Sequence, residues 1–231
     1  MTGPTPYPVS LVVAGRSCLV VGGGPVAARK VAGLQASGAR VTVVAPDVVA
    51  AIDELAAIDE LAAVTVHRRP YEPGEAAAYR LVVTATGVAA VDAAVAADAD
   101  AAGVWVNSAD DVDHCTFLLP SVHRDGPVTV AVSTGGASPA LATWLRQRIA
   151  GVLGDGLGTL AGALDGARRR LQVQGRSTAS VDWHAVLDGP LPELVRQGRL
   201  EEARRLLDRA TSGPGSGATG RLPGPITGGR P

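Results

Sequence analysis

The sequence predicts an α/β protein in which a parallel sheet wrapped by helices is followed by a region made of helices alone. Three observations point there. Across residues 9–132, short apolar runs rich in β-branched side chains alternate with Ala-rich stretches at helical spacing, the order that βαβ units require. Runs such as CLVV and VTVV are apolar at consecutive positions, which fits strands covered on both faces. From Ser138 onward the apolar spacing is helical throughout.

In chain order, strands are expected over residues 17–21, 40–45, 64–68, 81–85 and 104–107, and the same series continues with 128–132 after a turn at Asp125-Gly126-Pro127. The helix expected over 26–37 carries Val26, Ala27, Lys30, Val31 and Leu34 on helical spacing and stops at Gly38, a residue suited to a helix C-cap. A second helix is expected over 89–102. Residues 51–62 read AIDELA twice. A step of six residues does not close on about 3.6 per turn, so the copies cannot share a face, and we expect a tolerated expansion in a surface helix. Ser138 can cap a helix with Pro139 in its first position and Leu141, Leu145 and Ile149 as an apolar stripe. Further helices are expected over 157–174, 181–187, 191–197 and 200–210, and residues 211–231, dominated by Gly, Pro, Ser and Thr, read as a disordered tail.

Composition narrows the function classes. With 46% hydrophobic and 19% charged residues the chain is a globular protein with a core to bury. Three Trp, three Tyr and one Phe are too few for an aromatic platform that stacks single-stranded nucleic acid. The net charge of -1 is spread without a strongly basic segment, so neither nucleic acid nor an anionic membrane surface is an expected partner. Cys18 and Cys115 are the two cysteines, far apart and outside any zinc-like spacing, which excludes a disulfide framework. The N-terminus MTGPTPYPVS lacks a basic start and an apolar core of the signal-peptide kind, and no window reaches about 18 uninterrupted apolar residues. A cytoplasmic protein is expected.

The chemistry is concentrated in three places. Gly22, Gly24 and Ala27 fill the positions of a G-x-G-x-x-A loop directly after an apolar strand and at the opening of a helix. In that context the first glycine makes the tight turn, the second admits a pyrophosphate and the small third residue lets helix and strand pack, giving a Rossmann-type dinucleotide site with the helix N-terminus facing the phosphates. The second strand ends at Pro46, and Asp47 is the first acid available to grip a ribose, with no Arg beside it for a 2′-phosphate, so NAD is favoured over NADP. The fifth strand runs into Asn107-Ser108-Ala109-Asp110-Asp111-Val112-Asp113-His114-Cys115, where acids at the carboxyl end of a strand face the cofactor cleft and offer a general base or a metal ligand, or simply a turn. No permanent metal site is expected there, because the neighbours His114 and Cys115 point to opposite sides of an extended segment. Ser133-Thr134-Gly135-Gly136-Ala137-Ser138-Pro139 is a second glycine loop at a helix N-terminus, an anion cradle to which Arg124, Arg146 and Arg148 can add charge.

Three blocks taken together, YPVSLVVAGRSCLVVGGGPVAARKVAGLQASGARVTVVAP, VWVNSADDVDHCTFLLPSV and GPVTVAVSTGGASPALATWLRQRI, resemble the precorrin-2 dehydrogenase and sirohydrochlorin ferrochelatase family of siroheme biosynthesis, over about residues 7–150. The resemblance implies NAD-dependent oxidation of the tetrapyrrole precorrin-2 to sirohydrochlorin, with ferrous iron insertion in some members. It makes Asp110, third after Asn107 in N-x-x-D, the general base toward the macrocycle. It puts Gly22, Gly23, Gly24, Pro25 and Val26 along the pyrophosphate, Pro46 and Asp47 on the adenosine side and Thr86 on the cofactor side. It puts Asn107, Ser133, Thr134, Gly135, Gly136 and Ser138 beside the substrate. It divides the chain into an NAD-binding domain at 1–113, a strand-loop-helix dimerisation and substrate region at 114–150 and a C-terminal helical domain at 151–210. From its length, the methyltransferase domain that longer members carry after this unit is not expected. One departure stands out: after Ala85-Thr86, where the family follows with acids and an Asn, this chain has Gly87-Val88-Ala89-Ala90. A dehydrogenase with a separate chelatase, and a non-catalytic NAD-responsive sensor, are the alternatives. A homodimer formed largely through residues 138–210 is expected, because the Ala and Leu stripes there exceed what one small domain needs to cover.

Overall fold

The structure is a computed structural model and describes residues 5–58 and 63–212. Those within Met1–Pro120 and Ser133–Pro139 form one compact unit, and those within Ser121–Val132 and Ala140–Pro231 form another. Residues 114–150, expected as one region, are thus shared between the two.

The first unit is built on a parallel sheet of β1 (Ser17–Val21), β2 (Arg40–Ala45), β3 (Val64–Arg68), β4 (Leu81–Thr84) and β5 (Trp105–Ser108), in the order β3-β2-β1-β4-β5. The consecutive apolar residues of β1 serve two cores. Cys18 and Val20 face α1 (Pro25–Ala36) and α2 (Ala50–Ala57) with Val31, Val43 and Ile52, while Leu19 and Val21 face α3 (Ala89–Ala101) with Val82, Val95 and Val106. That explains why the run shows no alternation. Helix α1 ends as the sequence foretells: Gly38, with φ of 76°, donates to the Gln35 carbonyl at 2.8 Å and Ala39 to the Leu34 carbonyl at 3.1 Å, closing a Schellman-type cap. Strand β4 stops one residue earlier than expected because Ala85 already turns toward β1, its N–H bonded to the Val21 carbonyl at 2.8 Å.

The repeat behaves as its step dictates. The first copy lies in α2 with Ile52 fully buried, whereas its counterpart Ile58 is 73% exposed. Residues 59–62 of the second copy lie outside the described residues.

The second unit corrects the expected run of parallel strands. Residues 128–132 form β7 (Val128–Val132), which pairs antiparallel with β6 (Ser121–Asp125) as a separate hairpin, and β6 was not anticipated. Its sequence, SVHRD, carries too few apolar residues to stand out. Helices α4 (Pro139–Leu153), α5 (Leu157–Val173), α6 (Trp183–Asp188), α7 (Leu191–Arg196) and α8 (Leu200–Ser212) follow. The last four pack Leu160, Leu171, Val186, Leu191, Val195 and Leu207 into one core. Helix α6 starts two residues later than expected because Asp182 caps it, accepting the Ala185 N–H at 3.0 Å. Residues 211 and 212, assigned to the tail by the sequence, belong to α8, where the Thr211 hydroxyl donates to the Leu207 carbonyl at 2.9 Å. Residues 213–231 lie outside the described residues. On α4 only Ala142 is buried, and Leu141 and Ile149 of the expected stripe are exposed. Among the described residues no helix is long and apolar enough to cross a membrane.

Candidate functional site

In a sheet ordered β3-β2-β1-β4-β5 the connections leave in opposite directions from β1 and β4, which opens a crevice at their carboxyl ends. The glycine loop lies at that point. Gly22 has a φ of 127°, and a side chain there would run into the Ala85 carbonyl across the crevice floor. Gly23 closes on the second loop, its carbonyl accepting the Val49 N–H at 2.8 Å and its Cα lying against the Asp47 carbonyl. Gly24 caps α1 without any side-chain hydrogen bond, with Pro25 next and no acid in the first turn, and a side chain there would meet nothing within 4 Å. An uncapped helix N-terminus that opens onto free space fits a pyrophosphate. Ala27 is fully buried against the strand, as the motif requires. Pro46 and Asp47 are exposed at the end of β2.

The opposite wall follows β4, and sequence reasoning missed the residue that builds it. Asp92, in the first turn of α3, is only 6% exposed. Its Oδ1 accepts the Thr84 hydroxyl, the Thr86 hydroxyl at 2.8 Å and the Thr86 N–H at 3.2 Å. The Thr86 oxygen in turn accepts the Val88 N–H at 3.0 Å. An acid inside an Ala-rich helix reads as solvated surface. The one available signal was its position, eight residues after Thr84, the threonine that ends the strand.

Asp110 is exposed on the loop after β5, and among the described residues its carboxylate has neither a hydrogen bond nor an ion pair. The loop around it is well held. The Cys115 sulfur accepts the Ser108 N–H at 3.2 Å and the Asn107 side-chain amide at 3.4 Å, and lies 3.3 Å from the carbonyls of Ser108 and Asp111, to either of which the thiol can donate. Asn107 also donates to the Phe117 carbonyl at 3.1 Å. Asp111 pairs with the His114 ring at 2.7 Å, a contact that holds its carboxyl below the ordinary range. Burial pushes the Cys115 thiol up, so it stays protonated at neutral pH. Lys30, the single lysine of the chain, is half-buried on α1; desolvation and then Arg29 lower its pKa, while Cys115 and Asp110 oppose the shift. Among the described residues no group of three His, Cys, Asp or Glu side chains is placed to hold a metal ion.

The second glycine loop meets the Asp110 loop directly, since a side chain at Gly136 would press on Val112 at 2.9 Å. Much of its backbone is satisfied internally: Gly135 donates to the Ser133 hydroxyl at 3.1 Å, Ala137 to the Thr134 carbonyl at 3.1 Å and Ser138 to the Thr134 hydroxyl at 3.0 Å. The Gly136 N–H has no partner among the described residues. In the other unit, Arg146 is engaged by the Ser121 hydroxyl at 3.2 Å and Arg148 lies 5.2 Å from the Trp144 ring centre.

Comparison with known proteins bears on this arrangement. Three family models match in order: an NAD(P)-binding model over residues 9–121, "Sirohaem biosynthesis protein central" over 125–151 and "Sirohaem synthase dimerisation region" over 182–210. The chain is 40% identical over 202 residues to a siroheme synthase of Methylococcus capsulatus, covering 87% of this chain and 42% of that protein. It is 38% identical over 208 residues to a siroheme synthase of Nitrosococcus oceani, covering 89% and 44%. The chain therefore spans less than half the length of the curated relatives it matches. A solved structure, "SirC, precorrin-2 dehydrogenase", aligns with a TM-score of 0.70 and 27% identity over 88% of this chain and 98% of that one. The crevice, the ordered matches and the likeness of the whole fold agree: over most of its length the chain is similar to the siroheme synthases and to this precorrin-2 dehydrogenase.

Proposed function

We propose that the chain catalyses the NAD-dependent oxidation of precorrin-2 to sirohydrochlorin. The observation that carries this reading is a carboxylate, Asp110, that has no hydrogen bond or ion pair among the described residues, on a loop pinned on both sides and rooted beside a dinucleotide crevice. Bound NAD supplies a two-electron acceptor. The chain does the rest. The N-terminus of α1 and Gly24 hold the pyrophosphate, Asp47 meets the adenosine ribose, and Asp110 takes a proton from the macrocycle. The Gly136 N–H meets one of the substrate's carboxylates beside Val112. Asn107 acts at one remove, through its bonds to the Cys115 sulfur and the Phe117 carbonyl. Ferrous iron is a second substrate of this reading, at the same carboxylate, and a dehydrogenase with a separate chelatase is the outcome if iron gives no enzyme-dependent change.

The reading includes a homodimer, supported by the match to a dimerisation region and by the apolar face that α4 presents, and a cytoplasmic setting, supported by two free thiols. The test is Asp110→Ala. Its NAD affinity is expected to stay within about twofold of the parent while turnover falls by about 10²–10⁴, the range of a lost general base. Unchanged turnover removes the catalytic assignment, and loss of NAD binding together with turnover moves Asp110 from catalysis to cofactor binding.

A further inference from the structure

The fold has taken the carboxyl of Asp92 almost wholly out of water, and one of its oxygens accepts three hydrogen bonds. Burying a carboxylate is unfavourable unless donors surround it, so a carboxylate held here marks a geometry that three donors share. All three donors belong to the segment on which β4 leaves the sheet. Thr84 is its last strand residue. Thr86 gives both its hydroxyl and its N–H, and orienting that N–H fixes the peptide plane whose carbonyl, that of Ala85, faces Gly22. The hydroxyl of Thr86 then accepts from the Val88 N–H and closes the exposed turn that follows the strand. We propose that Asp92 is a positioning residue for the cofactor: through Thr84 and Thr86 it fixes the β4 wall of the crevice at the distance from Gly22 that a dinucleotide needs.

This rests on the reading that the chain binds NAD, and it assigns to Asp92 the ordering of the turn that follows Thr86. Residues 87–90, which make that turn and open α3, carry no acid or amide side chain that can reach back to tie the loop itself. The tie comes instead from the helix that follows.

The experiment compares Asp92→Ala, Asp92→Asn and Thr84→Val with the unaltered chain. NAD affinity is read by calorimetric titration, KM for NAD and kcat by NADH formation with precorrin-2, and folding by thermal unfolding. Asp92→Asn keeps an oxygen acceptor in place and is expected to bind NAD within about threefold of the parent. Asp92→Ala leaves the donors of Thr84 and Thr86 without it and is expected to weaken NAD binding and raise KM for NAD by about tenfold or more, with kcat within about twofold. Thr84→Val removes one anchor and is expected to weaken binding by about threefold, and it decides the matter where Asp92→Ala does not fold. A lower kcat at unchanged KM for NAD overturns the proposal, because a merely structural role reduces the active fraction without touching affinity. Unchanged NAD affinity in a folded Asp92→Ala and in Thr84→Val also overturns it. Failure of the unaltered chain to bind NAD overturns the reading on which the proposal rests, and is seen before any variant is made.

Discussion

A thiol shut into an apolar core holds its proton, and Cys18, fully buried in β1, is pushed up from 9.0 to about 11. Near pH 8 its thiolate is about 100-fold scarcer than that of an ordinary cysteine, so it is expected to resist Ellman's reagent until the protein unfolds. Because the folded value lies above the unfolded one, the stabilising contribution is complete below pH 9 and is lost as pH rises toward 11. Urea midpoints measured from pH 8 upward are expected to fall more steeply for the parent than for Cys18→Val, and parallel slopes contradict the burial argument. At this scale the sequence was informative where a residue type has few structural uses. Gly22 and Ala27 could be read in advance because a strand, a tight turn and a helix demand them in that order, and Asp110 stood out through the resemblance. Asp92 did not, since an acid on a helix is ordinary and only its burial shows its use. Cys115 was weighed as a metal ligand, whereas its sulfur holds the backbone of the Asp110 loop in shape.

Strand β1 is the element on which the site depends, because it feeds both cores and releases the glycine loop at its end. Leu19 is fully buried on its α3 face, and Leu19→Ala is expected to destabilise the protein by about 2–5 kcal/mol in urea unfolding, the range for a core Leu that leaves a cavity. A loss below about 1 kcal/mol contradicts the central place given to β1. The parallel strands were legible because burial on both faces leaves continuous apolar runs. The hairpin was not, because VTVAV reads alike in a parallel and an antiparallel sheet. What distinguishes them is the two-residue turn Gly126-Pro127 between Asp125 and Val128, which called for a strand on its other side. The stripe on α4 was legible as apolar, and the surplus of such stripes over 138–210 pointed to a partner, but periodicity gives a face and not what covers it.

For the whole molecule, the proposed function joins a cofactor crevice on one unit to a helical unit whose α4 leaves Trp144 51% exposed and Val152 86% exposed. Faces of that kind on a folded chain call for a partner, and the proposed homodimer would supply one. Trp144→Glu is expected to halve the mass found by light scattering at micromolar concentration, and a parent already monomeric contradicts the dimer. The central claim is tested most directly by absorbance of the purified protein held anaerobically with precorrin-2 and NAD, followed by ferrous iron once NADH formation ends. NADH is expected to form in step with sirohydrochlorin, and a siroheme spectrum on adding iron adds the second activity. Absence of NADH from protein that binds NAD contradicts the account and leaves an NAD-responsive sensor in its place.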